Sequence, residues 1–140
     1  MSVVVDASIA IGQVAEDADD PRVVRAFELV GSGRGIVPAH WPIEVANGLL
    51  MAVRRGRFDE SVFIEAEQLL MSFDWSIQVL DLREIVLRCQ PLATKHQLTM
   101  YDATYLELAV RFQLPLATLD RALIRAALVM GVQLVGREPA

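Results

Sequence analysis

Four acids stand where carboxylates could act together: Asp6 after "VVV", Glu44 in "WPIEV", Asp102 in "LTMYDA" and Asp120 in "LATLD". A carboxylate can ligate a hard cation, take a proton from water, or accept a backbone N–H at a helix start. Each acid has an innocent reading. Asp6 and Asp120 serve as N-caps, Glu44 answers a helix dipole, and Thr99 with Asp102 makes a variant capping box. Capping explains the residue type but not the setting. Ile43 and Val45 flank Glu44, and Tyr101 and Ala103 flank Asp102, so these carboxylates border the core. Asp17, Asp19 and Asp20 instead form a polar cluster, and Glu65 and Glu67 fall in a helix interior where solvated surface is the natural reading.

Carboxylates converging at one place would repel one another and raise some of their pKa values unless a cation offsets the charge. All-oxygen donors suit Mg²⁺ or Mn²⁺, and the chain has no Cys and His cluster of the kind zinc favours. His40 and His96 are isolated and read as surface or capping residues. An ion held by carboxylates can acidify water and clamp a phosphodiester, and it lets an acidic protein approach a polyanion. The formal net charge of −5 therefore argues against a broad basic surface without excluding RNA. The densest basic patch, Arg54, Arg55 and Arg57, reads as a helix C-terminus stopped by Gly56, with phosphate contact as the alternative.

The elements that must position these acids alternate between two periods. Val3 to Val5, Ile36 to Val37, Ile77 to Leu80, Leu116 to Thr118 and Gln133 to Val135 read as strands. Between them lie helical spacings. Val24, Phe27, Leu29 and Val30 follow Pro21 and end at "GSGRG"; Ile43, Ala46, Leu49, Leu50 and Val53 follow Pro42. A second helix capped by Asp59 carries Val62, Phe63, Ala66, Leu69 and Leu70, making a helical hairpin. Ile85, Val86, Cys89, Leu92 and Ala93 mark a further helix that Pro91 kinks. Two more helices start after Thr99 and at Ala122. Such alternation builds a parallel sheet covered by helices, with ligands at the carboxyl ends of the strands. Asp6 and Asp120 fall at those ends.

At 140 residues the chain is sized for one domain, expected over 1–140, and its 54% hydrophobic content suffices for a sizeable core. The lone Cys89 forms no internal bridge and no signal segment opens the chain, so a cytoplasmic protein is expected. No apolar run is long enough to span a bilayer.

"VVVDASIAI", "PAHWPIEVANGLLMAVRRGR" and "LTMYDATYLELAVRFQLPLATLDRAL", in this order, closely resemble the PIN-domain ribonucleases, in particular the VapC-type toxins of toxin-antitoxin pairs. The resemblance runs from residue 3 to about 130. It implies a three-layer α/β/α sandwich around a parallel sheet. It also implies a Mg²⁺- or Mn²⁺-dependent endoribonuclease whose metal and catalysis depend on Asp6, Glu44, Asp102 and Asp120, with Ser8 and Thr118 bonding to the carboxylates or to water. Glu44 is either a ligand or the general base. The family further implies an RNA substrate, a homodimer and a VapB-type antitoxin that occupies the cleft, with the hairpin from Trp41 to Phe73 as a docking surface. Asn47 and Tyr101 are candidates to line the cleft, although a packed amide and a core tyrosine are the plainer readings. Two rivals stand beside this one. A haloacid-dehalogenase-like phosphatase also carries an aspartate after its first strand, but expects a second acid where Ser8 stands. A non-catalytic binding module would use the four acids only as caps.

Overall fold

The computed structural model describes residues 1–137; the last three residues of the expected domain span lie outside the described residues. Three successive valines, Val3, Val4 and Val5, have no accessible surface. Because side chains alternate across a strand, that burial requires cover on both faces of the sheet. The architecture supplies it: a four-stranded parallel sheet in a three-layer α/β/α sandwich, with strand order β3-β2-β1-β4. The strands are β1 (Ser2–Val5), β2 (Arg34–Pro38), β3 (Trp75–Gln78) and β4 (Leu116–Ala117).

The chain winds outward from β1 through β2 to β3, then returns to place β4 on the other side of β1. Val4 and Val5 pair with Leu116 and Ala117, and Ser2, Val3 and Val4 pair with Arg34, Gly35 and Ile36. The order therefore reverses between β1 and β4, and a crevice opens at their carboxyl ends.

Eight α-helices flank the sheet among the described residues: α1 (Ala7–Ile11), α2 (Pro21–Gly31), α3 (Trp41–Arg54), α4 (Ser61–Leu70), α5 (Leu82–Glu84), α6 (Gln90–His96), α7 (Met100–Phe112) and α8 (Arg121–Met130). Asp20 caps α2 by accepting the Arg22 N–H, and Pro21 fills the first turn, where its missing N–H costs nothing. Gly56, at φ +74°, terminates the α3 segment in the left-handed region. Asp59 accepts from the Ser61 N–H at the start of α4. No helix among the described residues is long and apolar enough to cross a membrane.

Several expectations shift. The third strand begins at Trp75 instead of Ile77, because the Trp75 indole lies 4.5 Å from Trp41, donates to the Leu70 carbonyl and covers Gly35, where a Cβ would fall 2.3 Å from the ring. As an edge strand it leaves Ile77 half exposed. The stretch expected as a fifth strand is a single bridge, Leu116 to Leu134, since β4 is only two residues long. In α2 the buried row includes Val23, and Val24 faces outward. In α3 the buried row is Trp41, Val45, Leu49 and Ala52. The helix is thus rotated from the expected face, so Ile43 and Ala46 point out. The docking of Trp41 on Trp75 sets that rotation. Gly48 lets α3 approach α1, since a Cβ there would lie 2.2 Å from Ile11 Cδ1. Two stretches widen to π-helix, Gly12–Glu16 after α1 and Ile85–Cys89 just before the turn containing Pro91.

Candidate active site

Asp6 sits between β1 and α1, 4% exposed, in the position of an N-cap. Its carboxylate nevertheless accepts no helix N–H. Oδ2 instead receives the Ser8 hydroxyl at 2.7 Å and the Thr118 hydroxyl at 2.7 Å, the latter from the end of β4 across the crevice. Each hydroxyl also accepts a backbone N–H: Leu119 N–H donates to Ser8 Oγ and Asp120 N–H to Thr118 Oγ1, both at 3.0 Å. Each hydroxyl thus accepts one backbone N–H while its proton is directed to Asp6. Ser8, which stands where a dehalogenase-like phosphatase carries its second acid, is a partner of the first acid here.

The other acids arrive from three helix starts. Asp120 caps α8 through Oδ2, which accepts the Leu123 N–H at 2.9 Å. Asp102 lies in the first turn of α7, where Thr99 caps by accepting the Asp102 N–H at 3.1 Å. Glu44, in the first turn of α3, accepts from the Tyr105 hydroxyl at 2.8 Å and contacts His40 Nδ1 at 2.5 Å, both through Oε1. Capping thus accounts for Asp120, only indirectly for Asp102, and for neither Asp6 nor Glu44.

Electrostatics ties the four together. Burial lifts the Asp6 carboxyl from its ordinary 3.8 to about 6; the two hydroxyl bonds pull it down, and the charges of Asp102 and Glu44 push it up. Asp102 is also raised, first by burial, then by the charge of Asp120, with Glu44 adding to the rise and His40 opposing it. Burial and the charges of Asp6 and Glu44 hold the Tyr105 phenol protonated far above its ordinary range, so it can only donate to Glu44. These are acids lacking enough positive charge.

The donor set fits a hard divalent cation in type: carboxylate oxygens, mutually repelling, at the mouth of a crevice. Among the described residues no three His, Cys, Asp or Glu side chains close into a ready chelate. The arrangement suits an ion that keeps several waters, as Mg²⁺ does, better than a caged ion.

Of the residues singled out in the sequence, Ser8 and Thr118 bond Asp6 directly. Asn47 and Tyr101 line one open cleft with Glu44 and Ile43. Tyr101 is mostly exposed, not a core ring. His96 lies in the last turn of α6 with Nε2 buried and without a hydrogen-bond partner among the described residues. His40, read as surface or capping, stands at the N-cap position of α3, but its side chain does not cap: the ring joins Glu44 to Thr104 Oγ1, 2.8 Å from Nε2, beside the candidate acids. The spacing of four between His40 and Glu44 on one helical face was the available signal. Tyr105, three residues after Asp102, was likewise missed.

Comparisons with known proteins bear on the family and the fold. The family model described as the PIN domain matches residues 3–128. Ribonuclease VapC3 from Pyrobaculum aerophilum is 38% identical over 80 residues, 57% of this chain and 61% of that protein. The alignment thus spans about three fifths of that curated relative's length. The crystal structure of PAE2754 from Pyrobaculum aerophilum superposes with a TM-score of 0.63 at 24% identity, covering 90% of this chain and 79% of the other. Mycobacterium tuberculosis VapC20, described as a sarcin-ricin loop cleaving toxin, superposes with a TM-score of 0.60 at 16% identity, covering 89% and 94%. At these identities the superpositions establish a shared fold.

Proposed function

Because the chain belongs to the PIN-domain family, we propose that it is a metal-dependent endoribonuclease of the VapC toxin type, hydrolysing RNA phosphodiesters. The observation that carries the proposal is Asp6: a buried carboxylate at the switch point of the sheet, not used as a cap, whose pKa is raised by burial and by two further acids. A structural cap has no need of that environment. In an enzyme, such perturbed acids in a crevice are the expected machinery.

Asp6, Glu44, Asp102 and Asp120 would hold a Mg²⁺ or Mn²⁺ ion. The chemistry such an ion supplies when bound is neutralisation of the phosphodiester charge and acidification of water toward neutrality. The chain's own residues do the rest. Ser8 and Thr118 fix Asp6 through Oδ2, so its Oδ1 is the oxygen outside those bonds. Tyr105 and His40 fix Glu44 through Oε1, so Oε2 is the oxygen outside theirs and serves as ligand or as acceptor of the water proton. Water adds its oxygen to phosphorus in line, the bond to the departing ribose oxygen breaks as that oxygen takes a proton from solvent, and no covalent enzyme intermediate forms. A VapB-type antitoxin and a homodimer complete the proposal, the former supported by the VapC relatives.

Cleavage of a mixed RNA pool by the purified chain, with Mg²⁺ or Mn²⁺ and then with chelator, tests this beside Asp6→Asn. Cutting is expected only with metal and only in the wild type. A folded wild type that binds the ion yet cuts no RNA in the pool would refute the reading.

A further inference from the structure

The two acids flanked by apolar residues in the sequence resolve into a pattern. Val45 and Ala103, which follow Glu44 and Asp102, are buried, but Ile43 and Tyr101, which precede them, are 69% and 59% exposed. These two large side chains, with Glu44 and Asn47, line an open cleft of about 370 Å³. Exposed bulk beside a charged crevice is not core packing.

We propose that Tyr101, Ile43 and Asn47 form a subsite for a nucleobase of single-stranded RNA, a proposal that rests on the nuclease reading and deepens it. Three features choose the occupant. Among the described residues no Lys or Arg lines the cleft and one wall is Glu44, a lining that suits a neutral group better than a phosphate. The Tyr101 ring is braced edge to face against His40, with centroids 5.1 Å apart at 81°, and His40 is itself tied to Glu44 and Thr104. A fixed, solvent-facing aromatic ring is a stacking platform that costs little to order. Asn47, one turn after Ile43 and exposed, presents both a donor and an acceptor to a base edge.

Chain connectivity then sets the register. Tyr101 is bonded to Asp102 and Ile43 to Glu44, so a base seated here belongs to a nucleotide next to the phosphodiester held at the acids. Unstacked bases of this kind are offered by loops and single strands, not by a duplex.

The test uses Tyr101→Ala and Tyr101→Phe in the full chain, with three readouts. The first is binding of fluorescein-labelled heptauridylate and of the same heptamer made abasic, by anisotropy in chelator. The others are kcat/KM on the RNA pool with Mn²⁺, and Mn²⁺ affinity by electron paramagnetic resonance. Tyr101→Ala is expected to lower heptauridylate affinity and kcat/KM by about 5- to 100-fold. Abasic binding and Mn²⁺ affinity should not change, and Tyr101→Phe should match the wild type. Equal losses on the abasic heptamer, or lost Mn²⁺ affinity, would overturn the subsite. So would RNA cutting and binding unchanged in Tyr101→Ala, which leaves the nuclease standing. A wild type that cuts nothing, yet whose heptauridylate binding falls only in Tyr101→Ala, would remove the nuclease and keep the subsite.

Discussion

Replacing Asp6 by asparagine should make the metal-free protein more stable at neutral pH while disabling it. A carboxyl lifted from 3.8 to about 6 by burial is easier to protonate in the fold than in the unfolded chain. Its contribution to stability is therefore fully present below pH 3.8 and is lost as pH rises through about 6. The difference corresponds to about 3 kcal/mol at pH 7.5. Asparagine keeps an oxygen to accept from Ser8 and Thr118 and never carries the charge. Urea unfolding in chelator, followed by the fluorescence of Trp41 and Trp75, measures the effect. The wild-type unfolding free energy should fall between pH 4 and 7; that of Asp6→Asn should fall less, since only the raised Asp102 carboxyl remains, and exceed it by about 2–3 kcal/mol at pH 7.5. Adding Mg²⁺ should reverse the order, because an ion that binds only the native wild type stabilises it by mass action. An Asp6→Asn protein less stable than the wild type at pH 7.5 in chelator would refute the reasoning, since burial would then not be penalising the charge.

Thr118→Val removes a donor to Asp6 and strands the Asp120 N–H, so chemical denaturation should show a loss of about 1–3 kcal/mol. His40→Ala leaves Glu44 held by Tyr105 alone; calorimetric titration with Mn²⁺ should report affinity about 10-fold weaker. Asp120→Asn keeps the cap on Leu123 and should unfold near the wild-type midpoint with cleavage abolished, whereas Asp120→Ala should also lose about 1 kcal/mol. Gly48→Val should drive α3 from Ile11, lowering stability by about 1–3 kcal/mol in thermal unfolding.

Much of this site could be read from residue types, because a buried strand ending in Asp6 violates ordinary burial unless something shares the charge. The parallel sheet followed from alternating periods, and the four acids from their places at strand and helix ends. What escaped was set by tertiary contact. Apolar spacing in α3 was compatible with two neighbouring faces, and only the packing of Trp41 on Trp75 selects between them. That rotation is what turns Ile43 outward. The β3 boundary moved for the same reason, since the indole that anchors the strand precedes its β-branched residue. His40 and Tyr105 escaped because a histidine invites a search for ligands, and a tyrosine for packing, when both here serve a carboxylate. The π-helical stretches carry no periodicity of their own to read.

The bond from Thr118 to Asp6 joins residues 112 positions apart. During synthesis, β1 leaves the ribosome well before its neighbour β4 and the hydroxyl that orients Asp6, which emerge only after more than a hundred further residues. A nascent or truncated chain that stops short of β4 has an uncovered flank on β1 and no switch-point crevice. The acids cannot assemble piecemeal. On the nuclease reading, a chain that has not yet reached β4 would be silent, its activity withheld by topology until the fold closes.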